Sequence, residues 1–313
     1  MISLPDFKEK QILFINADWN TKSVLRFCNG NIVFYKDNQI ANRASVYKIF
    51  SVFILGDLAL TTGFIREAKK HGISIFFFRK NFYPIAGLLS EAEGNYLLRA
   101  KQYHLTQEKQ LKMAKKIVKF KILNQISLLN NVGEKRKNKI IEDIELADDN
   151  QELLGIEGSI SRDYFKKIFK EIGWRRRAPQ TKEDIPNYLL DMGYTFLFNF
   201  VDSLLRLHGF DTYKGFYHQL FFQRRSLSCD MMEPFRPLID RQIIKSFNLK
   251  QIQEKDFELE KSRFTLPFQN YSKYSSVFFG CLMENKETIF NFIHDFYRHM
   301  MDEDKNAFPT LIN

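Results

Sequence analysis

Near Gly87 the texture of the chain changes, and that change limits the folds open to it more than any single motif does. Before it, short β-branched and aromatic runs (Ile12 to Ile15, Val24 to Phe27, Ile32 to Tyr35, Val52 to Leu55) alternate with turn residues, which is the pattern of strands. Asn29-Gly30 between two of these runs predicts a hairpin, because both residues tolerate the positive φ of a two-residue turn. Thr61 and Thr62 can cap a helix running to Lys70, and Gly72 can end it. Ile73 to Phe78 is then a mainly apolar run too short for a helix and reads as a buried strand.

After Gly87 the chain carries few prolines and many Lys, Glu and Leu, as helices prefer. Leu111, Ala114, Val118 and Ile122 step by three and four while Lys112, Lys115, Lys116, Lys119 and Lys121 fill the gaps. That predicts a basic amphipathic helix whose lysines either face solvent or meet phosphates. Gly133 to Asn150 predicts another helix with an acidic exit. The expected fold class is therefore α+β: a small β-rich N-terminal domain over residues 1–86, closing near Tyr83-Pro84, and a larger all-α domain over residues 87–313.

Charge narrows the partner. With 47 Lys+Arg against 37 Asp+Glu the net charge is +10, which draws a chain to polyanions such as nucleic acid or an anionic membrane surface. The lysines are spread along the chain rather than gathered on one short amphipathic helix, which argues against the membrane surface. Cys28, Cys229 and Cys281 are odd in number and far apart, matching neither a disulfide framework nor a C-x-x-C metal site, so a reducing cytoplasm is expected. Asp6, Lys8, Glu9 and Lys10 stand where a signal peptide needs its apolar core, and no stretch reaches the ~18 apolar residues of a membrane span. A cytoplasmic protein, neither secreted nor membrane-spanning, is the expectation.

The familiar phosphate loops G-x-x-x-x-G-K-[ST] and G-x-G-x-x-G are missing, as are G-x-S-x-G and H-E-x-x-H. Polar residues set among apolar neighbours remain as candidates. Glu157, between Gly155 and Gly158 and after Leu153, Leu154 and Ile156, is a carboxylate that needs a cation if it is desolvated: a metal ion or an arginine serves, and so does a plain helix-terminal role or a pair with Arg162. His218 follows Gly215-Phe216-Tyr217 and reads either as a hydrogen-bonded structural residue or as a ligand. Asp230 and Glu233, three apart before Pro234, share one face of a helical turn and so aim two carboxylates at one point. An oxygen-rich site with one imidazole suits Mg²⁺ or Mn²⁺ better than Zn²⁺. In a basic chain such an ion points to phosphoryl transfer on nucleic acid.

Leu154-Gly155-Ile156-Glu157-Gly158, Asn187-Tyr188-Leu189-Leu190-Asp191-Met192-Gly193-Tyr194, Gly215-Phe216-Tyr217-His218 and Asp230-Met231-Met232-Glu233-Pro234-Phe235-Arg236-Pro237, in that order, resemble the CRISPR-associated integrase family, the enzymes that insert new spacers during CRISPR adaptation. The likeness extends to Thr62-Gly63, His71-Gly72-Ile73 and Arg99-x-x-Gln102, and so spans nearly the whole chain. It implies a β-rich dimerisation domain followed by a helical catalytic domain. It also implies Glu157, His218 and Glu233 as ligands of Mg²⁺ or Mn²⁺, with Asp230 supporting them and Asn187 a recurrent residue of undefined role. The implied reaction is transesterification, in which the 3′-hydroxyl of spacer-precursor DNA attacks a phosphodiester at the edge of a CRISPR repeat; cleavage of branched or single-stranded DNA is the same chemistry with water. The implied partners are DNA, a second copy of the chain, and a small ferredoxin-like CRISPR-associated protein, two dimers of this chain flanking a dimer of that protein as a heterohexamer.

The segment from Gln219 to Cys229, with Phe221-Phe222 and Arg224-Arg225, departs from the Gly/Pro-containing loop of many relatives. Candidate phosphate contacts are Arg162, Lys166, Arg175, Arg176, Arg177, Arg224 and Arg225, and Trp174 is either a base-stacking or a core residue. His208 reads as structural. The tail from Asp302 can dock on a partner through Phe308 to Ile312 or fray. Two rivals stand beside the integrase: a stand-alone metal-dependent nuclease repairing branched DNA, and a non-catalytic basic DNA-binding scaffold whose acids only cap helices and pair ions.

Overall fold

A computed structural model describes residues 4–17, 21–79, 84–89, 94–129, 133–179, 181–218 and 221–311. After a short helix α1 (Leu4–Glu9), the chain lays down β1 (Gln11–Ala17), β2 (Ser23–Cys28), β3 (Asn31–Lys36), β4 (Gln39–Ser45) and β5 (Ile49–Gly56). Then come α2 (Thr62–Lys70), β6 (Ser74–Phe78) and β7 (Pro84–Leu88). β2, β3 and β4 form an antiparallel sheet; β1, β5, β6 and β7 form a second sheet in that order, parallel except for the last pair.

Local chemistry explains these elements. Asn29 and Gly30 both take positive φ (48° and 68°), turning β2 into β3 as their dipeptide dictates. The Thr61 side chain accepts the Phe64 N–H at 3.1 Å and caps α2, and Gly72 (φ 66°) ends the turn that follows it. β4 escaped the sequence reading because Gln-Ile-Ala-Asn-Arg-Ala-Ser has no apolar alternation; it is a largely exposed edge strand held by its pairing to β3. Tyr83, one residue of the expected domain closure, lies outside the described residues.

The remainder is helical apart from one hairpin: α3 (Tyr96–Tyr103), α4 (Gln107–Leu128), α5 (Glu134–Leu146), α6 (Asn150–Ile168), α7 (Ile185–His208), α8 (Ser226–Met232), α9 (Arg236–Asn248), β8 (Glu258–Glu260), β9 (Arg263–Thr265), α10 (Phe268–Glu284) and α11 (Lys286–Met301). α7 is the central post, buried along nearly its whole length, started by the Asp184 cap and closed by Gly209 in the left-handed region. Gly193 lets its neighbours close in, since a Cβ there would lie 2.4 Å from Ile239 of α9 and 2.8 Å from Phe278 of α10.

Two apolar cores result. One lies inside the strand-rich part, around Leu25, Ile32, Val52, Phe64 and Ile75. The larger one fills the helical part and continues onto the other face of the β1-β5-β6-β7 sheet through Phe53, Phe76 and Phe78. Phe14 of β1 meets Phe279 at 5.3 Å and Phe7 of α1 stacks on Phe290 at 4.2 Å, so aromatic rings join sheet and helices. Among the described residues no helix is long and apolar enough to cross a membrane.

Candidate active site

α6 begins where the Asp149 carboxylate accepts the Gln151 and Glu152 N–H groups at 2.8 Å, leaving Glu157 two turns further in, free of any capping duty. Its side chain is largely buried, with one oxygen on the ammonium of Lys121 and the other accepting the Tyr217 hydroxyl at 2.5 Å. The expected alternative of a pair with Arg162 is not what forms: Arg162 is exposed.

Glu233 opens a 3₁₀ turn (Glu233–Phe235) between α8 and α9, where Pro234 fits because a first-turn position needs no N–H donor. Buried to 3% exposure, it meets Lys121 Nζ at 2.6 Å and Arg236 Nε at 2.9 Å, both as ionic contacts rather than well-aligned hydrogen bonds. Burial alone would raise its pKa, yet the charges of Arg236, Lys121 and His218 prevail and hold it at about 2. Arg236 and Lys121 are in turn pushed up by the acids they face, against the burial that opposes their charge. Burial, then Glu157, raises the Tyr217 hydroxyl far above its usual range, so it acts as a donor and not as a base.

Asp230 is fully buried on α8: its Oδ2 accepts the Phe216 and Tyr217 N–H groups at 2.7 and 3.1 Å, and its Oδ1 accepts the His218 N–H at 2.9 Å. The same Oδ1 lies 2.6 Å from His218 Nδ1. His218 Nε2 is thereby turned toward Glu233, whose Oε1 is 4.0 Å away. Gly215 makes this possible, since a Cβ there would stand 2.6 Å from Asp230 Oδ2.

The sequence reading thus brought Glu157, Glu233, His218 and Asp230 to one place, but it missed Lys121, Tyr217 and Arg236. Lys121 was expected on a solvated or phosphate-facing stripe of α4, and instead it is 7% exposed between two acids. A signal was available: Lys121 sits beside Ile122 and three residues after Val118, on the apolar side of the α4 wheel, whereas Lys112 stands on the other.

The arrangement has defined chemical capacity. Two carboxylates and an imidazole are a donor set for Mg²⁺ or Mn²⁺, and the shared ammonium shows that both acids address one point of positive charge. Among the described residues no three His, Cys, Asp or Glu side chains already close around a common ion position; Glu157 and Glu233 close around the lysine.

The other sequence candidates fall elsewhere. Asn187 is a scaffold residue: its Oδ1 accepts from Arg177 and from the Ala178 N–H, and its Nδ2 donates to the Arg176 carbonyl and to Asp184. His208 is buried, with Nδ1 2.8 Å from the Leu204 carbonyl, as a structural histidine should be. Trp174 packs on Phe165 and Phe169, the core alternative. Arg176, Arg177 and Arg225 are engaged with Glu183, Asp191 and Asp202, while Lys166, Arg175 and Arg224 are exposed. The tail docks on its own chain: Phe308 is buried against Phe292, Phe296 and His299, with Lys116 Nζ 5.0 Å above its ring. Ile312 and Asn313 lie outside the described residues.

Comparison with known proteins identifies the family. Residues 19–277 match the family model described as CRISPR associated protein Cas1. A CRISPR-associated endonuclease Cas1 of Thermodesulfovibrio yellowstonii is 31% identical over 252 residues, 74% of this chain and 79% of that one. In fold the chain is similar to a Cas1 protein from Thermotoga maritima (TM-score 0.77, 23% identity, 96% of this chain and 100% of the other). It is equally similar to a casposase bound to integration product (TM-score 0.77, 19% identity, 97% and 95% covered). Because the family match takes in every residue of the cluster from Lys121 to Arg236 together with the strands from β2 to β7, the lineage is settled: this chain belongs to the family of the CRISPR-associated protein Cas1.

Proposed function

We propose that the chain is a metal-dependent DNA integrase and endonuclease of CRISPR adaptation, joining the 3′-hydroxyl of spacer-precursor DNA to the CRISPR repeat and able to cleave branched or single-stranded DNA. The observation that carries this reading is the convergence of Glu157 and Glu233 on one cation beside His218, in a Cas1-family chain of net charge +10. Glu157, His218 and Glu233 would hold Mg²⁺ or Mn²⁺, which when bound supplies positive charge to a phosphodiester undergoing displacement.

The chain's own residues prepare that site. Asp230 orients the imidazole through Nδ1, and Tyr217 fixes the Glu157 carboxylate. Arg236 keeps Glu233 ionised. In the exchange, the incoming 3′-oxygen forms a bond to phosphorus and the bond to the 3′-oxygen of the target strand breaks, its hydroxyl leaving with the strand. One phosphodiester replaces another, so neither a protein nucleophile nor an energy source is required. Of the residues named as phosphate contacts, Arg162, Lys166, Arg175 and Arg224 are exposed and available to hold DNA, which makes binding steeply salt-dependent. By family likeness the strand-rich segment, residues 1–86, serves dimerisation and residues 87–313 catalysis. In the assembly so proposed, two such dimers flank a dimer of the small ferredoxin-like partner, a heterohexamer in the cytoplasm.

The test uses a labelled branched DNA shaped like a half-integrated product, with Mg²⁺ or Mn²⁺, with and without chelator, beside Glu157→Ala and Glu233→Ala. Metal-dependent release of the branch with rejoining of the target strand, lost in both variants, is expected. Cleavage without rejoining would move the assignment to a repair nuclease. Tight binding with no chemistry in either metal would leave a scaffold.

A further inference from the structure

Glu157 and Glu233 ride on separate elements, α6 and the 3₁₀ turn after α8, yet both touch the ammonium of one residue of α4, Lys121. α4 is fastened to both of those elements. Asn124 Nδ2, three residues on, donates to the Pro234 carbonyl at 2.7 Å, and Gln125 Nε2 donates to Ser161 Oγ at 3.4 Å. The ammonium is therefore set between the acids by helix packing and is 7% exposed.

Two carboxylates held this near each other repel unless a cation or a proton intervenes. Lys121 supplies that cation from inside the chain. With Arg236 it leaves the three acids Glu157, Asp230 and Glu233 one charge short of neutral when the imidazole is uncharged. A divalent ion entering beside a retained ammonium would meet a like charge at contact range and compete for the same carboxylate oxygens.

We propose that Lys121 is an internal stand-in for the divalent ion: it neutralises Glu157 and Glu233 in the metal-free protein and leaves them as the ion enters, so that loading the site is an exchange of one cation for another. This rests on the reading that Glu157, His218 and Glu233 hold the ion. The exchange keeps the empty site folded, lowers its affinity for the ion, and excludes monovalent cations, which bring no charge beyond what the lysine already provides.

The experiment titrates Mn²⁺ calorimetrically into the full chain and into Lys121→Met, and follows thermal unfolding of both with and without Mn²⁺. Lys121→Met is expected to bind Mn²⁺ at least tenfold more tightly, to melt lower than the parent when metal-free, and to recover most of the difference when saturated. A second arm needs no variant: acetylation of Lys121 in the parent chain, read by mass spectrometry, is slow without metal and rises several-fold at saturating Mn²⁺. Equal or weaker Mn²⁺ binding by Lys121→Met, or labelling of Lys121 that does not change on saturation, overturns the exchange while leaving the metal site in place. Failure of both proteins to bind Mn²⁺ overturns the metal reading itself, and the exchange with it.

Discussion

Asp230 holds His218 twice with a single oxygen, at 2.9 Å from the backbone N–H and 2.6 Å from ring Nδ1. A carboxylate in that position places a proton on Nδ1 and turns Nε2 to the side of Glu233. Asn at this position keeps only one acceptor oxygen for four donors. Asp230→Asn is expected to lose about 1–3 kcal/mol of stability and roughly 10–100-fold in metal affinity. Denaturant unfolding and Mn²⁺ titration of the variant check both.

Gly215→Ala should reproduce much of that loss without touching a charged residue. The added Cβ would stand 2.6 Å from Asp230 Oδ2 and 2.8 Å from the Ser226 Cβ. Displacing the carboxylate costs about 1–3 kcal/mol by overpacking and frees the imidazole. A Gly215→Ala protein that melts and cleaves like the parent would show that Asp230 does not fix His218.

The buried trio around Asp240 sets a pH dependence. Tyr194 and Tyr164 donate to its carboxylate at 2.5 and 2.9 Å, but burial outweighs them and raises its pKa from 3.8 to about 6. The folded state therefore holds this proton more tightly than the unfolded one, and the stability it contributes is complete below pH 3.8 and falls as pH rises through about 6. The loss amounts to roughly 3 kcal/mol, and Asp240→Asn should flatten that part of a stability-against-pH curve measured by urea unfolding.

Phe308→Ala should cost about 3 kcal/mol, because the ring is 4% exposed and packs on Phe292 and Phe296. Calorimetry of the variant should show a lowered melting temperature.

Much of the architecture was legible because local rules and tertiary packing agree in it. Asn29-Gly30, the Thr61 cap, Gly72 and the Ile73 to Phe78 run each specify one conformation, and the structure adopts it. β4 was not legible, since its register comes from β3 and not from its own side chains. The site divided in the same way. Glu157, His218 and Glu233 lie in motifs with a shape of their own, whereas the place of Lys121 on the apolar side of α4 signals burial but not the two acids that α6 and the 3₁₀ turn bring to it. Arg225 and Arg177 looked like free charge because sequence shows the cation and hides Asp202 and Asp191 across the fold.

The rings that join the β1-β5-β6-β7 sheet to the helices bear on how the protein has to be handled. Phe14 against Phe279, and Phe7 stacked on Phe290, are contacts that a helical fragment made alone would lose. Such a fragment would present a wet aromatic strip along α10 and α11, the kind of surface that drives self-association. Expressed from residue 87 onward it should precipitate or form oligomers, and heating the whole chain should give one cooperative endotherm in place of two.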